Sequence, residues 1–409
     1  MSYKNFYECQ ISGSTDLELI LSLGLIPLVN QMSENNSRLS KQMFFPAEIF
    51  YSPISKLVQL GVSVDKSLLF PKEYPYTSST TKNLRDNFQE LSEEVFKRFK
   101  IEKDDLVIDI GSNDGNLLSN FLNKTKILGI TPEDIGKLGI EKGIPTILDY
   151  FTPELSKKVI KEHGLAKIIC ATNVFAHIDN ISELMNTIYS LLKDDGIFIT
   201  ESHYLLSLIE ENQYDTIYHE HLRYYSLSSL NYLFNKYNME IVFAKRIQTH
   251  GGSIRVYAAK QNNHTIDKSY LDLIEYENKE LFCKGLYSFK DKVIRSKLEL
   301  YSLLNKIKNN DSKIYAISAP SRATTLINYI GINVDIIDCI LEIEGSQKIG
   351  HYLPGTNIPI LNEKKLYIDQ PDYALILSWH ITDELINILR KKGYKGKFII
   401  PLPQPKILN

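Results

Sequence analysis

From residue 104 onward, short apolar runs alternate with stretches whose apolar positions recur every three or four residues. LVIDIGS, KILGI, PTILDY, AKIICAT and GIFITES are the runs, and NDGNLLSNFL and PEDIGKLGI are helical segments between them. This order predicts βαβ units and a parallel sheet covered on both faces. Right-handed crossovers then leave few topologies. Upstream, NLRDNFQELSEEVFKRF has helical spacing. Downstream, LSSLNYLFNKY predicts a helix, EIVFAKRI a strand and SIRVYAAK an antiparallel strand. A Lys-, Glu- and Leu-rich helical region over about 267–309 precedes a second alternating series: KIYAIS, ATTLINYI, VDIIDCIL, YALILS, DELINILRK and KFIIP. That series predicts a second, smaller doubly wound sheet, with no obvious repeat between the halves.

The first 70 or so residues lack sustained periodicity. LELILSLGLIPLVN and IFYSPISKLVQLGV are separated by the polar run SENNSRLSKQ, which predicts a small lobe of short strands and turns. PKEYPYTSST is a turn-rich linker. The expected organisation is an N-terminal lobe over 1–72, an α/β domain over 73–258 and a smaller α/β domain over 259–409.

Composition narrows the classes. The 409 residues carry a formal net charge of -2, which gives no bulk electrostatic case for nucleic acid or an anionic membrane. Cys9, Cys170, Cys283 and Cys339 are far apart and suit a reducing compartment. MSYKNFYECQ lacks the apolar run of a signal peptide, and no window approaches the roughly 20 apolar residues of a membrane span. A cytoplasmic enzyme acting on a soluble substrate is expected, without nucleic-acid or membrane partners, as monomer or homodimer.

Two segments carry chemistry. In open α/β sheets, ligands bind outside the carboxyl ends of the strands. The first strand-to-helix turn reads Asp109-Ile110-Gly111-Ser112-Asn113-Asp114-Gly115. Its glycines are four residues apart with polar side chains between, a spacing suited to an amino acid and adenosine rather than a pyrophosphate. It resembles motif I of class I S-adenosylmethionine (SAM) methyltransferases. The second strand of such folds ends in an acid that binds the ribose hydroxyls; here Thr131 stands there, with Glu133 and Asp134 as substitutes or as helix caps. Asp149, Tyr150 and Asn173, at the third and fourth strand ends, would frame the rest of the cofactor. The second segment contains Tyr218-His219-Glu220-His221 among Tyr214, Tyr224 and Tyr225, with His177 and His203 at strand ends. If the segment were extended, His219 and His221 would share one face; in a helix or turn the grouping differs. Histidine suits a general base near neutral pH, and tyrosine can supply a donor to a developing oxyanion.

The whole chain resembles the sugar C-3 methyltransferases of branched deoxysugar biosynthesis. GLIPLVNQM, EYPYTSST, IDIGSNDG, ATNVFAHIDN, YDTIYHEHLRYYSLSSL, THGGSIRVY, ISAPSRATTLINYIGI and YLPGTNIPI carry the likeness, YDTIYHEH and THGGSIRVY most specifically. The resemblance implies a small N-terminal lobe of zinc-binding type, a central Rossmann-like class I methyltransferase domain and a Rossmann-like C-terminal sugar-nucleotide-binding domain. It implies a SAM-dependent reaction at C-3 of a nucleotide-linked 4-keto-deoxysugar, with His221 as base, Tyr218 and Glu220 assisting, His177 near the sugar and Tyr76 closing over the site. Tyr224, Arg255, Ser321 and Arg322 would meet the substrate, the last two at its pyrophosphate; a structural ion pair is the other reading of Arg255.

The chain departs from the family at two places. The family's zinc ligands fall at Cys9, Ser12, Ser52 and Ser55, so three are serine and no zinc is expected. Thr131 replaces the ribose acid. Two further readings follow from these departures: a methyltransferase for another acceptor, including O-methylation, and a nonenzymatic partner in glycan assembly. An NAD-dependent oxidoreductase is disfavoured by the glycine spacing.

Overall fold

The computed structural model describes residues 2–34, 42–69 and 82–409. Tyr76 and its linker lie outside the described residues. Seven strands form the central sheet, in the spatial order Met239–Ile247, Ser253–Lys260, Leu192–His203, Ala166–Thr172, Leu106–Ile110, Lys126–Ile130 and Thr146–Ile147. All run parallel except Ser253–Lys260, which is antiparallel to both neighbours. This is the Rossmann-like arrangement of class I methyltransferases, as the alternating runs predict.

Every residue of Leu106–Ile110 is buried, because helices cover both faces. Val107, Ile168, Ile197 and Ile199 pack against Leu84, Phe88, Leu91 and Val95 of the helix Lys82–Arg98. Ile108, Ile110, Ile169 and Phe198 pack against the helices Pro153–His163 and Ile181–Leu191 on the other face. Capping starts both of these helices. The Thr152 hydroxyl accepts from Leu155 N ahead of Pro153, and the Asn180 side chain accepts from Glu183 N.

The N-terminal lobe is an antiparallel sheet of Glu18–Pro27, Phe44–Ser52 and Leu57–Leu60. Its fourth strand is Arg223–Tyr224, which directly follows the Tyr218–His221 run. Ile20, Leu23, Ile49 and Val58 join the same apolar core as the central sheet, while Leu28, Phe45, Val64 and Leu69 form a smaller cluster within the lobe. In the C-terminal region the sheet order is Ile360–Asn362, Cys339–Glu342, Ile314–Ile317, Tyr373–Ile376, Lys397–Ile400 and Lys406–Leu408. Only the last strand is antiparallel. This is the second, smaller doubly wound sheet.

The helix Ser321–Ile330 of that sheet packs against both the turn Tyr214–Thr216 and the strand Glu18–Pro27. A buried ion pair pins the contact. Arg322 Nε and Nη2 donate to the two carboxylate oxygens of Asp215, each at 2.8 Å. Trp379 Nε1 donates to Asp215 Oδ2 at 2.7 Å, and its ring lies 4.8 Å from the guanidinium. Removing one member of such a pair strands the other charge. Asp215→Ala is expected to cost about 3–5 kcal/mol of stability, measured by urea unfolding; a loss below about 1 kcal/mol would contradict the buried pairing.

Candidate active site

The loop after Leu106–Ile110 turns back at once: Gly111 N and Ser112 N both donate to Ile130 O, at 2.8 and 3.2 Å. Gly111 and Gly115 adopt φ 77° and 76°. A Cβ on Gly111 would collide with Val174, and one on Gly115 would come within 2.6 Å of Ile144 Cδ1, so both positions require glycine. Asn113 shares the left-handed region at φ 51°.

Asp109 is 3 % exposed, and its Oδ1 has no hydrogen-bond partner. Burial, and then the nearby Glu201, push its pKa well up. Glu201 is answered by Arg255, whose Nε donates to Oε1 at 2.5 Å; among the described residues Asp109 has no such cation. An α-ammonium would supply the missing charge, and Ser112 Oγ is a second buried polar atom without a partner among the described residues. The cofactor loop therefore fits SAM. Asp114 is fully buried with Lys142 Nζ 3.1 Å from Oδ2. Asp149 accepts from Tyr150 N, and the Tyr150 ring is 64 % exposed beside the third strand. Asn173 N donates to Glu201 O at 2.8 Å, which places Val174 over Gly111.

At the second strand end, Thr131 is buried and its Oγ1 donates to Glu133 Oε2 at 2.7 Å. Asp134 instead pairs with Lys137 at 2.6 Å. The hydroxyl at the acid's position thus holds a carboxylate two residues further on. Glu133→Gln is expected to weaken binding of S-adenosylhomocysteine (SAH) about tenfold, the worth of one hydrogen bond to a charged group, with Asp134→Asn unchanged. Calorimetric titration measures both, and equal effects would remove Glu133 from the ribose.

The Tyr218–His221 segment is a turn, not an extended strand: His221 N donates to Tyr218 O at 3.0 Å. His219 and His221 therefore part company. His219 lies against Phe45, with Nε2 3.2 Å from Pro46 O in the N-terminal lobe. His221 stacks on Tyr218 at 4.2 Å between ring centroids, sits 5.2 Å from His177 and meets Tyr224 edge-on at 6.3 Å. His221 Nδ1 is 2.8 Å from Thr216 O. A carbonyl only accepts, so Nδ1 carries the proton and Nε2 keeps its lone pair. Burial, then the His177 ring, hold the His221 pKa well below its ordinary value, so the neutral form prevails. His177 Nδ1 likewise donates to Glu220 O at 2.5 Å.

The remaining predicted residues are already engaged by protein partners. Arg255 is buried among Glu201, Glu90 and Asn87, with Nη1 2.6 Å from Glu90 Oε2 and Nη2 2.8 Å from Asn87 Oδ1. It ties its strand to the helix Lys82–Arg98, the structural reading of that residue. Arg322 is engaged by Asp215, by Gln213 at 3.1 Å and by His380 at 3.0 Å, and Ser321 Oγ by Asn30 at 2.9 Å. The site thus includes residues the sequence did not single out: Asn30, Gln213, Asp215 and Trp379. Asp215 stands within YDTIYHEH, the most specific run, and could have been found there. Among the described residues, no group of three or more His, Cys, Asp or Glu side chains could hold a metal. Cys9 Sγ lies 3.1 Å from Ser55 Oγ, and one thiol with three hydroxyls does not fit zinc.

Burial, then the Arg322 charge, push His203 and His380 down to about 3, and burial takes His219 to about 4, from the ordinary 6.5. Unfolding restores 6.5, so below that pH the unfolded chain binds more protons than the native one. Their contribution is full above pH 6.5 and is lost progressively as pH falls toward about 3. Urea unfolding across pH 8 to about 4 is expected to show this decline; constant stability would contradict it.

The chain is similar to known methyltransferases. Residues 76–243 match the family described as methyltransferase domain, and 248–403 that described as C-methyltransferase C-terminal domain. C-methyltransferase NovU of Streptomyces niveus is 28% identical over 410 residues, covering 98% of this chain and 97% of its own. Similar solved structures include magnesium protoporphyrin IX methyltransferase (ChlM) from Synechocystis PCC 6803 with bound SAM, 10% identical, covering 43% of this chain and 79% of that one with a TM-score of 0.33. Another is the CcbJ methyltransferase from Streptomyces caelestis, 12% identical, covering 46% and 93% with a TM-score of 0.35. Topology, cofactor loop and family matches together define a SAM-dependent methyltransferase. The C-terminal match narrows the likeness further, since residues 248–403 resemble the C-terminal domain of C-methyltransferases.

Proposed function

We propose that this enzyme methylates C-3 of a nucleotide-linked 4-keto-deoxysugar, with His221 as the general base. The observation that carries the reading is the His221 tautomer: Nδ1 donates to Thr216 O, and a neutral Nε2 is left to accept a proton. Carbon is methylated as a carbanion equivalent, and a ketone provides one. Nε2 takes the C-3 proton, and the C–H electron pair forms the C-3–C-4 double bond of an enolate. Tyr218, whose ring lies 4.2 Å from that of the base, donates to the enolate oxygen. Bound SAM supplies an electrophilic methyl group. Attack by C-3 restores the ketone and releases SAH. Asp109 holds the cofactor's ammonium, and Glu133 its ribose.

The nucleotide end is supported by the start of the helix Ser321–Ile330, which has no side-chain cap and suits an anion. Lys348 Nζ donates to Ala319 O at 2.7 Å beside it, and the Glu342 carboxylate accepts from Ala319 N at 2.7 Å.

With dTDP-4-keto-6-deoxyglucose and SAH in deuterated water, the wild-type enzyme is expected to exchange the C-3 proton, read by NMR. His221→Asn should lose at least about 100-fold of that rate while SAH affinity holds. The acid limb of kcat/KM should lie below the ordinary histidine value of 6.5, since the native imidazole pKa is lowered. Exchange that survives His221→Asn would overturn the assignment.

A further inference from the structure

We infer that Asn30, in the N-terminal lobe, is a positioning residue for the catalytic segment: it holds Glu220 and through it His177, and is itself oriented by Ser321. The inference rests on the reaction proposed above. Asn30 Nδ2 donates to Glu220 Oε1 at 2.6 Å, and Ser321 Oγ donates to Asn30 Oδ1 at 2.9 Å. The amide cannot be turned round. A carboxylate only accepts, so the nitrogen must face Glu220, which leaves the oxygen for the hydroxyl.

Glu220 is buried, where a hydrogen bond to an ionised group is roughly twice as strong as a neutral one. Its own carbonyl accepts from His177 Nδ1 at 2.5 Å, and the His177 ring lies 5.2 Å from His221. Contacts therefore run from Ser321 through Asn30, Glu220 and His177 to the base. The backbone before Asn30 is anchored as well: Thr324 Oγ1, on the same helix as Ser321, donates to Val29 O at 3.3 Å. The lobe and the C-terminal helix together set the angle at which the catalytic turn presents its histidines.

The test compares full-length Asn30→Ala, Asn30→Asp and Ser321→Ala with wild type, using dTDP-4-keto-6-deoxyglucose for steady-state methylation and C-3 exchange, and SAH for calorimetry. A misplaced base costs about 100-fold in rate. Asn30→Ala is expected to lower kcat and exchange by about that factor, with KM and SAH affinity within about twofold. Asn30→Asp has the same shape but sets a second carboxylate against Glu220, so it should fall below Asn30→Ala; Ser321→Ala should be the mildest. If packing alone mattered, the isosteric Asn30→Asp would be the more active variant and thermal stability would track activity; that ordering overturns the inference. Wild-type exchange with undiminished rate in Asn30→Ala overturns it while sparing the reaction. No exchange by the wild-type enzyme overturns the reaction and the inference with it.

Discussion

The ion pair between Arg322 and Asp215 is the contact on which the catalytic face depends. Both groups are buried, and neither charge is tolerable there without the other. Asp215 lies six residues before His221, on a segment with little regular structure of its own. The pair therefore fastens a loop-like stretch to a helix of a different sheet. The same cation also sets local protonation. His203 and His380 surround Arg322 and are held neutral by burial and by its charge, so none competes for the carboxylate.

With its start fastened, the segment can place its side chains in opposite directions. The turn at 218–221 sends His219 toward Phe45 in the lobe and His221 toward His177 at the end of the fourth central strand. An extended strand would have put both on one side. One histidine becomes a packing contact with the lobe, and the other joins the His177 and Tyr218 rings. The cofactor loop is shaped in the same region, since Val174 packs over Gly111 three residues before His177. The cofactor loop and the His177–His221 cluster therefore share a wall.

Most of the framework was legible in the residues. Buried parallel strands are nearly continuous apolar runs, so LVIDI and AKIICAT announced the sheet, and the left-handed glycines announced the loop. What could not be read was which polar side chains are already satisfied. Arg255 and Arg322 look alike in sequence to a free anion-binding arginine. Their partners, Glu201 and Asp215, are 54 and 107 residues distant along the chain. Asn30 was invisible for the same reason, because its significance lies wholly in Glu220 and Ser321. The displaced carboxylate at Glu133 was half legible: the sequence offered two acids, and only the Thr131 hydrogen bond separates them.

The strand Arg223–Tyr224 has a consequence for how the molecule is made. Gln59 pairs with Arg223, so the sheet of the lobe is closed by residues that leave the ribosome long after the lobe itself. Until then Leu57–Leu60 is an open edge with unpaired amides, the kind of surface that recruits foreign strands. Domains usually condense in order of synthesis, but this lobe has to wait for the centre of the chain. Such long-range closure slows folding. A truncated chain ending before residue 223 would keep that edge exposed.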